Sequence, residues 1–274
     1  MRHSVGPVPD RSLKNVGPVP DRSRTNRLVV TTSWDDGHPL DLFLAERLAT
    51  YGVKGTFYVP VRYESCPRLA IGQIRELRAM GMEIGSHTVT HPRMTQVSDE
   101  TARCELCDSK DYLEQILGED IPSFCFPEGK FAKRFEPILR SLGYQVARTT
   151  VGFQTSPGVN PFAMPVTLQL WPHSRQILAR HALKEGNFSG LRTWMTRWGA
   201  EADPVRLCER VLNDLLQSGG VLHIWGHSWE LDQARLWPVL EQCLRCIAHC
   251  REAEYLTNFE VALPNPPVLE PVYA

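Results

Sequence analysis

The chain has 274 residues, 42% of them hydrophobic and 22% charged, with a formal net charge of −1. That composition supports a full hydrophobic core and excludes a disordered chain. The balanced charge gives no electrostatic case for a nucleic-acid partner or an anionic membrane surface, and no apolar run reaches the roughly 20 residues a membrane helix needs.

The first 27 residues hold a direct repeat, VGPVPDRS at 5–12 and again at 16–23, with four prolines and two glycines. Such a stretch reads as a disordered tail. It also lacks the apolar region of a signal peptide, so the expected location is cytoplasmic. Residues 28–274 then read as one domain.

From residue 28 onward strands and helices alternate. RLVVTTSW is rich in β-branched and aromatic residues and reads as a buried strand, and LDLFLAERLATYG as a helix ending at Gly52. KGTFYVPV is a strand, AIGQIRELRAMG a helix and MEIGSH a short strand. SDETARCELCDSKDYLEQILG opens with Ser98 and an acidic first turn, the mark of a capped helix. PSFCFPEG, AKRFEPILRSLG and YQVARTT follow as strand and turn, helix, and strand. Residues 150–200, with scattered Pro and Trp, predict a single helix. DPVRLCERVLNDLLQSGG, VLHIWGH and QARLWPVLEQCLRCIAHC read as helix, strand and helix, and EAEYLTNFEVA closes the domain. Alternation of this length predicts an α/β fold with a parallel sheet, most simply a (β/α) barrel.

Eight cysteines include two CxxC spacings, CELC at 104–107 and CLRCIAHC at 243–250. Both fall in helical segments, where positions i, i+3 and i+7 share a face, so small hydrophobes on a buried stripe are expected rather than a structural zinc. Trp-bearing segments between 150 and 200 suit either a sugar-facing groove or an ordinary core. His38 is expected to shape its loop. His173, His181 and His249 read as surface or helix residues.

Two adjacent carboxylates, Asp35 and Asp36, stand where the first strand ends, just before Gly37. Adjacent like charges are expensive to bury unless paired or metal-bound. A helix cap accounts for one of them and leaves the other. After the strand MEI, GSHTVTH carries His87 and His91, four apart. On a helical turn that spacing places two imidazoles on one side, able to grip one ion. Asp36, His87 and His91 all follow predicted strand ends, the same rim of a barrel, and two His with one carboxylate is a catalytic metal pattern. A divalent ion, most readily Zn2+, lowers the pKa of bound water to about 7, and Asp35 is left to take its proton.

With these residues the chain resembles the NodB-homology polysaccharide deacetylases of carbohydrate esterase family 4. SWDDG looks like their T-F-D-D-G motif and SHTVTH like H-[ST]-x-x-H, and the likeness extends over about residues 28–262. The resemblance implies a distorted (β/α) barrel of about seven parallel strands, with metal ligands Asp36, His87 and His91 and Asp35 as catalytic base. The family's R-x-P-Y-G motif reads CFPEG here. Cys125 stands at the Arg position and Glu128 at the Tyr position, where a backbone N–H serves as oxyanion donor, so the Glu128 N–H takes that role. Arg148, at the next strand end, is the substitute for the missing arginine, or else a surface charge. The last motif implies a His that protonates the leaving amine. VLHIWGHSWE offers His227 for that role, with His223 as a core or supporting histidine and Glu230 either orienting His227 or capping the following helix. The implied substrate is an N-acetylated carbohydrate. Another barrel hydrolase of small C–N bonds and a catalytically dead sugar-binding module are the alternatives.

Overall fold

In a computed structural model, residues 27–248 and 250–263 are described. The repeat-bearing tail, apart from Arg27, and His249 lie outside them. The first strand, β1 (Leu28–Trp34), is buried along its whole length. On one side Leu28, Val30 and Trp34 join a core with Leu44 and Leu48 of helix α1 (Asp41–Thr50). On the other, Thr31 bonds Asn258 and Ser33 bonds His223, both buried. A strand covered on both faces reads as a continuous β-rich run, as RLVVTTSW does.

The chain continues through β2 (Gly55–Val59), α2 (Ile71–Ala79), β3 (Glu83–Ser86), α3 (Asp99–Leu117), β4 (Ser123–Cys125), α4 (Glu136–Ser141), β5 (Val146–Arg148) and the short β6 (Leu168–Gln169). It ends with α5 (Arg175–Lys184), α6 (Phe188–Thr196), α7 (Pro204–Ser218), β7 (Gly220–Gly226), α8 (Ser228–Gln233), α9 (Trp237–Ile247), β8 (Ala253–Tyr255) and α10 (Asn258–Ala262). The strands run in the order β5-β4-β3-β2-β1-β7-β6, all neighbours parallel, with β8 added beside the start of β1. Between the sheet's ends, the Met164 N–H donates to the Ala147 carbonyl and the Thr167 N–H to that of His223. Residues 164–169 thus draw β5 and β7 together, and the sheet curls into the distorted barrel expected from the sequence, seven strands in path plus β8.

Local chemistry explains most boundaries. Ser98 caps α3 by accepting from the Thr101 N–H, and Gly118 ends that helix in the left-handed region at φ 70°. Asp203 caps α7, whose Leu207, Val211 and Leu215 form a buried stripe; each such side chain contributes on the order of 1.5–3 kcal/mol.

Two expectations are corrected. Residues 150–200 hold two helices, α5 and α6, because Trp194 and Trp198 are core rings packed on Phe153 and hold α6 to the barrel. The segment 233–250 is not one helix: α8 stops at Gln233 and α9 starts afresh at Trp237, with Pro238 in its first turn. Of the two cysteine stripes, Cys243 is buried, Cys107, Cys246 and Cys250 are half-buried and Cys104 is exposed, and all eight thiols are free.

At the N-terminal end of the barrel lies a largely buried polar layer around the half-buried Glu83. Glu83 accepts from the Thr56 hydroxyl (2.9 Å), the Phe259 N–H (3.0 Å) and the Ser123 hydroxyl. Asn258, on α10 beneath the barrel, accepts from Thr31 and donates to the Tyr58 hydroxyl (3.0 Å).

Candidate active site

Asp35 and Asp36 leave β1 at the opposite, C-terminal rim. Asp36 has φ 77° and Gly37 φ 60°, a left-handed pair that turns the chain back sharply. A Cβ on Gly37 would lie 3.0 Å from Val59, so the turn needs glycine there. The turn puts the two carboxylates in different surroundings, both buried.

Asp35 forms an ion pair with Arg148, whose guanidinium is fully buried between the rings of Tyr58 (5.3 Å) and Trp225 (5.1 Å). Burial alone would raise the Asp35 pKa, but the Arg148 charge, helped by His87 and His227, holds it below the usual carboxylate range. Arg148 on β5 is the register partner of Cys125 on β4. The arginine missing at Cys125 is thus replaced in space one strand across. The Cys125 thiol itself makes a weak contact with Asp35 Oδ2 at 3.8 Å.

Asp36 faces the two histidines. His87 Nε2 lies 3.6 Å and His91 Nε2 3.3 Å from the same oxygen, Oδ1. The other oxygen, Oδ2, accepts from the Trp229 indole N–H at 3.0 Å. His87 Nδ1 is 2.8 Å from the Cys125 carbonyl, which can only accept. Nδ1 therefore carries the proton, and Nε2 turns a lone pair toward Asp36. Burial lowers the His87 pKa to about 4 despite the nearby Asp35, so the ring is neutral at neutral pH. Burial would raise the Asp36 pKa, but His91, His227 and His87 together pull it well down. The outcome is a carboxylate and an imidazole lone pair facing one another, with Asp36 Oδ1 buried and lacking any hydrogen bond. Buried acceptors without a donor are rare and costly, and this donor set suits a divalent cation.

A second group of possible ligands, Asp35, His87 and Cys125, shares His87. It fits a cation poorly, because Arg148 already holds Asp35, the Cys125 carbonyl holds His87 Nδ1, and burial pushes the Cys125 thiol pKa well up.

The histidine pair is not brought together by a helical turn. His87 and His91 lie in an irregular loop after β3, with Thr88 at φ 69° and His91 at φ 57°. The loop is held by Glu105, which accepts from the Val89 and Thr90 N–H groups (2.7 and 2.9 Å). Tyr63 stacks on the His91 ring at 4.3 Å. Left-handed Thr is strained by about 1–3 kcal/mol, and such strain gathers at functional sites.

On β7, His223 is a supporting residue. Both its nitrogens are engaged, by Ser33 (2.8 Å) and the Pro165 carbonyl (3.2 Å), and burial lowers its pKa to about 3. His227 reaches the site, with Nε2 3.8 Å from Asp36 Oδ2 and Nδ1 2.7 Å from Glu230. Burial opposes its charge, but the Glu230 hydrogen bond and the charges of Asp35 and Asp36 raise its pKa to about 9. Glu230 therefore orients His227. Glu128 lines the cavity at φ 55°, its side chain paired with Arg93. Gly129 next to it, at φ 63°, packs so closely on Thr150 that a Cβ would lie 2.0 Å from its hydroxyl. His38 shapes its loop, accepting from the Leu40 N–H.

Asp35, Asp36, His87, His91, Glu128 and His227 open into one cavity of about 460 Å³. Its far wall was not legible in the sequence: His173 and His181, read as surface or helix residues, line it, as do Lys130, Lys184 and Trp171. Of the 150–200 tryptophans, Trp171 alone among these faces the cavity, while Trp194 and Trp198 are core.

Fold and rim together define a parallel (β/α) barrel with a candidate metal centre at the C-terminal ends of its strands. The family model described as Polysaccharide deacetylase matches residues 22–147, the stretch that carries the first two motifs. A peptidoglycan-N-acetylglucosamine deacetylase of Bacillus cereus is 26% identical over 105 residues, 37% of this chain. The chain spans only 41% and 36% of the curated relatives it matches. A family 4 carbohydrate esterase from Streptomyces lividans, solved with acetate, shares the fold at TM-score 0.52 and 15% identity, over 84% of this chain and 91% of that one. A CE4 family pseudoenzyme from Bacillus anthracis shares it at TM-score 0.53 and 15% identity, over 87% and 66%. Among the described residues, no helix is long and apolar enough to cross a membrane.

Proposed function

We propose that the chain is a metal-dependent hydrolase that removes acetyl groups from N-acetylated sugars. The observation that carries this reading is the orphaned Asp36 Oδ1 facing two imidazoles, beside a second carboxylate already held by an arginine. Asp36, His87 and His91 are the ligands, with Zn2+ the first choice for two imidazoles and one carboxylate. When bound, the ion supplies Lewis-acid polarisation and acidifies water.

The chain's own residues do the rest. Arg148 occupies Asp35 Oδ1, which leaves Oδ2, touched only weakly by the Cys125 thiol, to take the proton of the attacking water. Arg148 keeps Asp35 ionised and fixes its direction, so it is a positioning residue. His227 is protonated at neutral pH and stands ready to give its Nε2 proton to the departing nitrogen, while Glu230 holds its Nδ1. The Glu128 N–H serves the developing oxyanion, a role that does not depend on the side chain. One water enters, and acetate and a free amine leave.

The test is acetate release from N-acetylated mono- and oligosaccharides by protein loaded with Zn2+, before and after chelation. Release that stops with chelator and returns with the metal supports the reading. No release from any N-acetylated sugar overturns it, and sugar binding that survives chelation unchanged would instead mark a binding module.

A further inference from the structure

The cavity extends past the catalytic groups to a wall with a different character. Along α5 and its C-cap, Leu178, His181, Ala182 and Glu185 recur at helical spacing and line the cavity, Ala182 and Leu178 also packing on the core while His181 and Glu185 give the wall its polar part. Lys184 lies three residues beyond His181 and lines the cavity too, and Lys130 reaches it from the turn after β4. His173, just before α5, stands 5.4 Å from His181, ring to ring, and is held by Gln169 at 2.9 Å.

The charges here do not balance as they do elsewhere in the cavity. Asp35 is matched by Arg148, Glu128 by Arg93 and Glu230 by His227. The nearby charges acting on His181 are all cationic: Lys184, Lys130 and Arg180. Glu185 is the acid beside Lys130, and burial raises its pKa. Among the described residues neither Lys130 nor Lys184 has a salt bridge within 4.0 Å. Glu185 aside, the two lysines lining the cavity have no matched carboxylate, and a neutral N-acetyl sugar would bring them none.

We propose that this end of the cavity is an anion subsite, and that the N-acetylated sugar it takes carries a phosphate ester or carboxylate held by Lys130 and Lys184, with His173 and His181 beside them. The proposal rests on the deacetylase reading for the acetyl group but not for the binding itself. Charge-assisted hydrogen bonds are about twice as strong as neutral ones and fall off with salt.

The experiment is calorimetric binding to zinc-loaded protein of three probes: N-acetylglucosamine, its 1-phosphate, and an N-acetylated amino-uronic acid. The result expected is that at least one anionic probe binds tenfold or more tightly than the neutral sugar, and that K130Q/K184Q erases the preference while K133Q, an exposed lysine outside the cavity, keeps it. Preference for the phosphate or the uronate identifies the group. Equal binding of all three probes, or a preference that survives K130Q/K184Q, overturns the proposal. Acetate release is measured on the same probes. Release without charge preference sinks the subsite alone, and charge preference without release sinks the deacetylase reading alone. Both lysines are exposed, and circular dichroism of the double variant checks that the fold is intact.

Discussion

Two carboxylates at opposite ends of the barrel, Glu83 and Asp36, differ in one respect. At the N-terminal end Glu83 has a donor for each oxygen, and Asn258, Thr31 and Tyr58 complete one another. At the C-terminal rim Asp36 Oδ1 has no hydrogen bond, and Arg148 leaves Nε and Nη1 without partners. A satisfied buried network holds a fold together, and an unsatisfied one costs stability unless something else is bound.

That contrast can be broken or sharpened by substitution. The largest effect is expected from Asp36→Ala. Activity should fall on the order of 10³-fold or more, because the Lewis-acid contribution is worth several kcal/mol. The metal-free protein should melt no lower than wild type, since a repelling acceptor is gone, and added zinc should no longer raise its melting temperature. Next, Arg148→Met leaves the Asp35 charge buried and alone, which should destabilise by roughly 3–5 kcal/mol in urea titration. Asp35→Asn combined with Arg148→Met should recover most of that stability and none of the activity. At the satisfied end, Glu83→Ala should cost about 1–3 kcal/mol for the donors it strands, with kcat unchanged. If Glu83→Ala instead abolished turnover, the two ends would not be separable.

The smallest effect is a shift in pH profile. Glu230 favours the charged form of His227, whose pKa stands at about 9. A general acid is lost as pH rises through its pKa. Glu230→Gln weakens the pull on that proton, so the alkaline limb of kcat should move to lower pH, by about one unit if the hydrogen bond is worth about 1.4 kcal/mol. A limb that stays in place would remove His227 from the proton transfer.

Much of this was legible in the sequence, for physical reasons. The run RLVVTTSW ending in two acids and a glycine encodes β1 and its turn, and Ser98 encodes the start of α3. Arg148 could be picked out because it ends a strand on the rim that carries Asp35. The closeness of His87 and His91 was anticipated for the wrong reason: a strained loop with left-handed Thr88 and His91 achieves it, and no periodicity reports such a loop. Glu83 alternates along β3 like any half-exposed strand residue, and the donor that α10 brings to it lies far away in sequence. The break between α8 and α9 did leave a signal, Pro238 at the first turn of a helix. His173 and His181 left none, because what makes them cavity residues is how α5 sits against the barrel.

The most direct test of the central claim is crystallographic: anomalous diffraction at the zinc edge from protein grown with the metal. The account predicts one strong peak within bonding distance of Asp36, His87 and His91. Full zinc occupancy elsewhere, with those three side chains contacting only water, would contradict it.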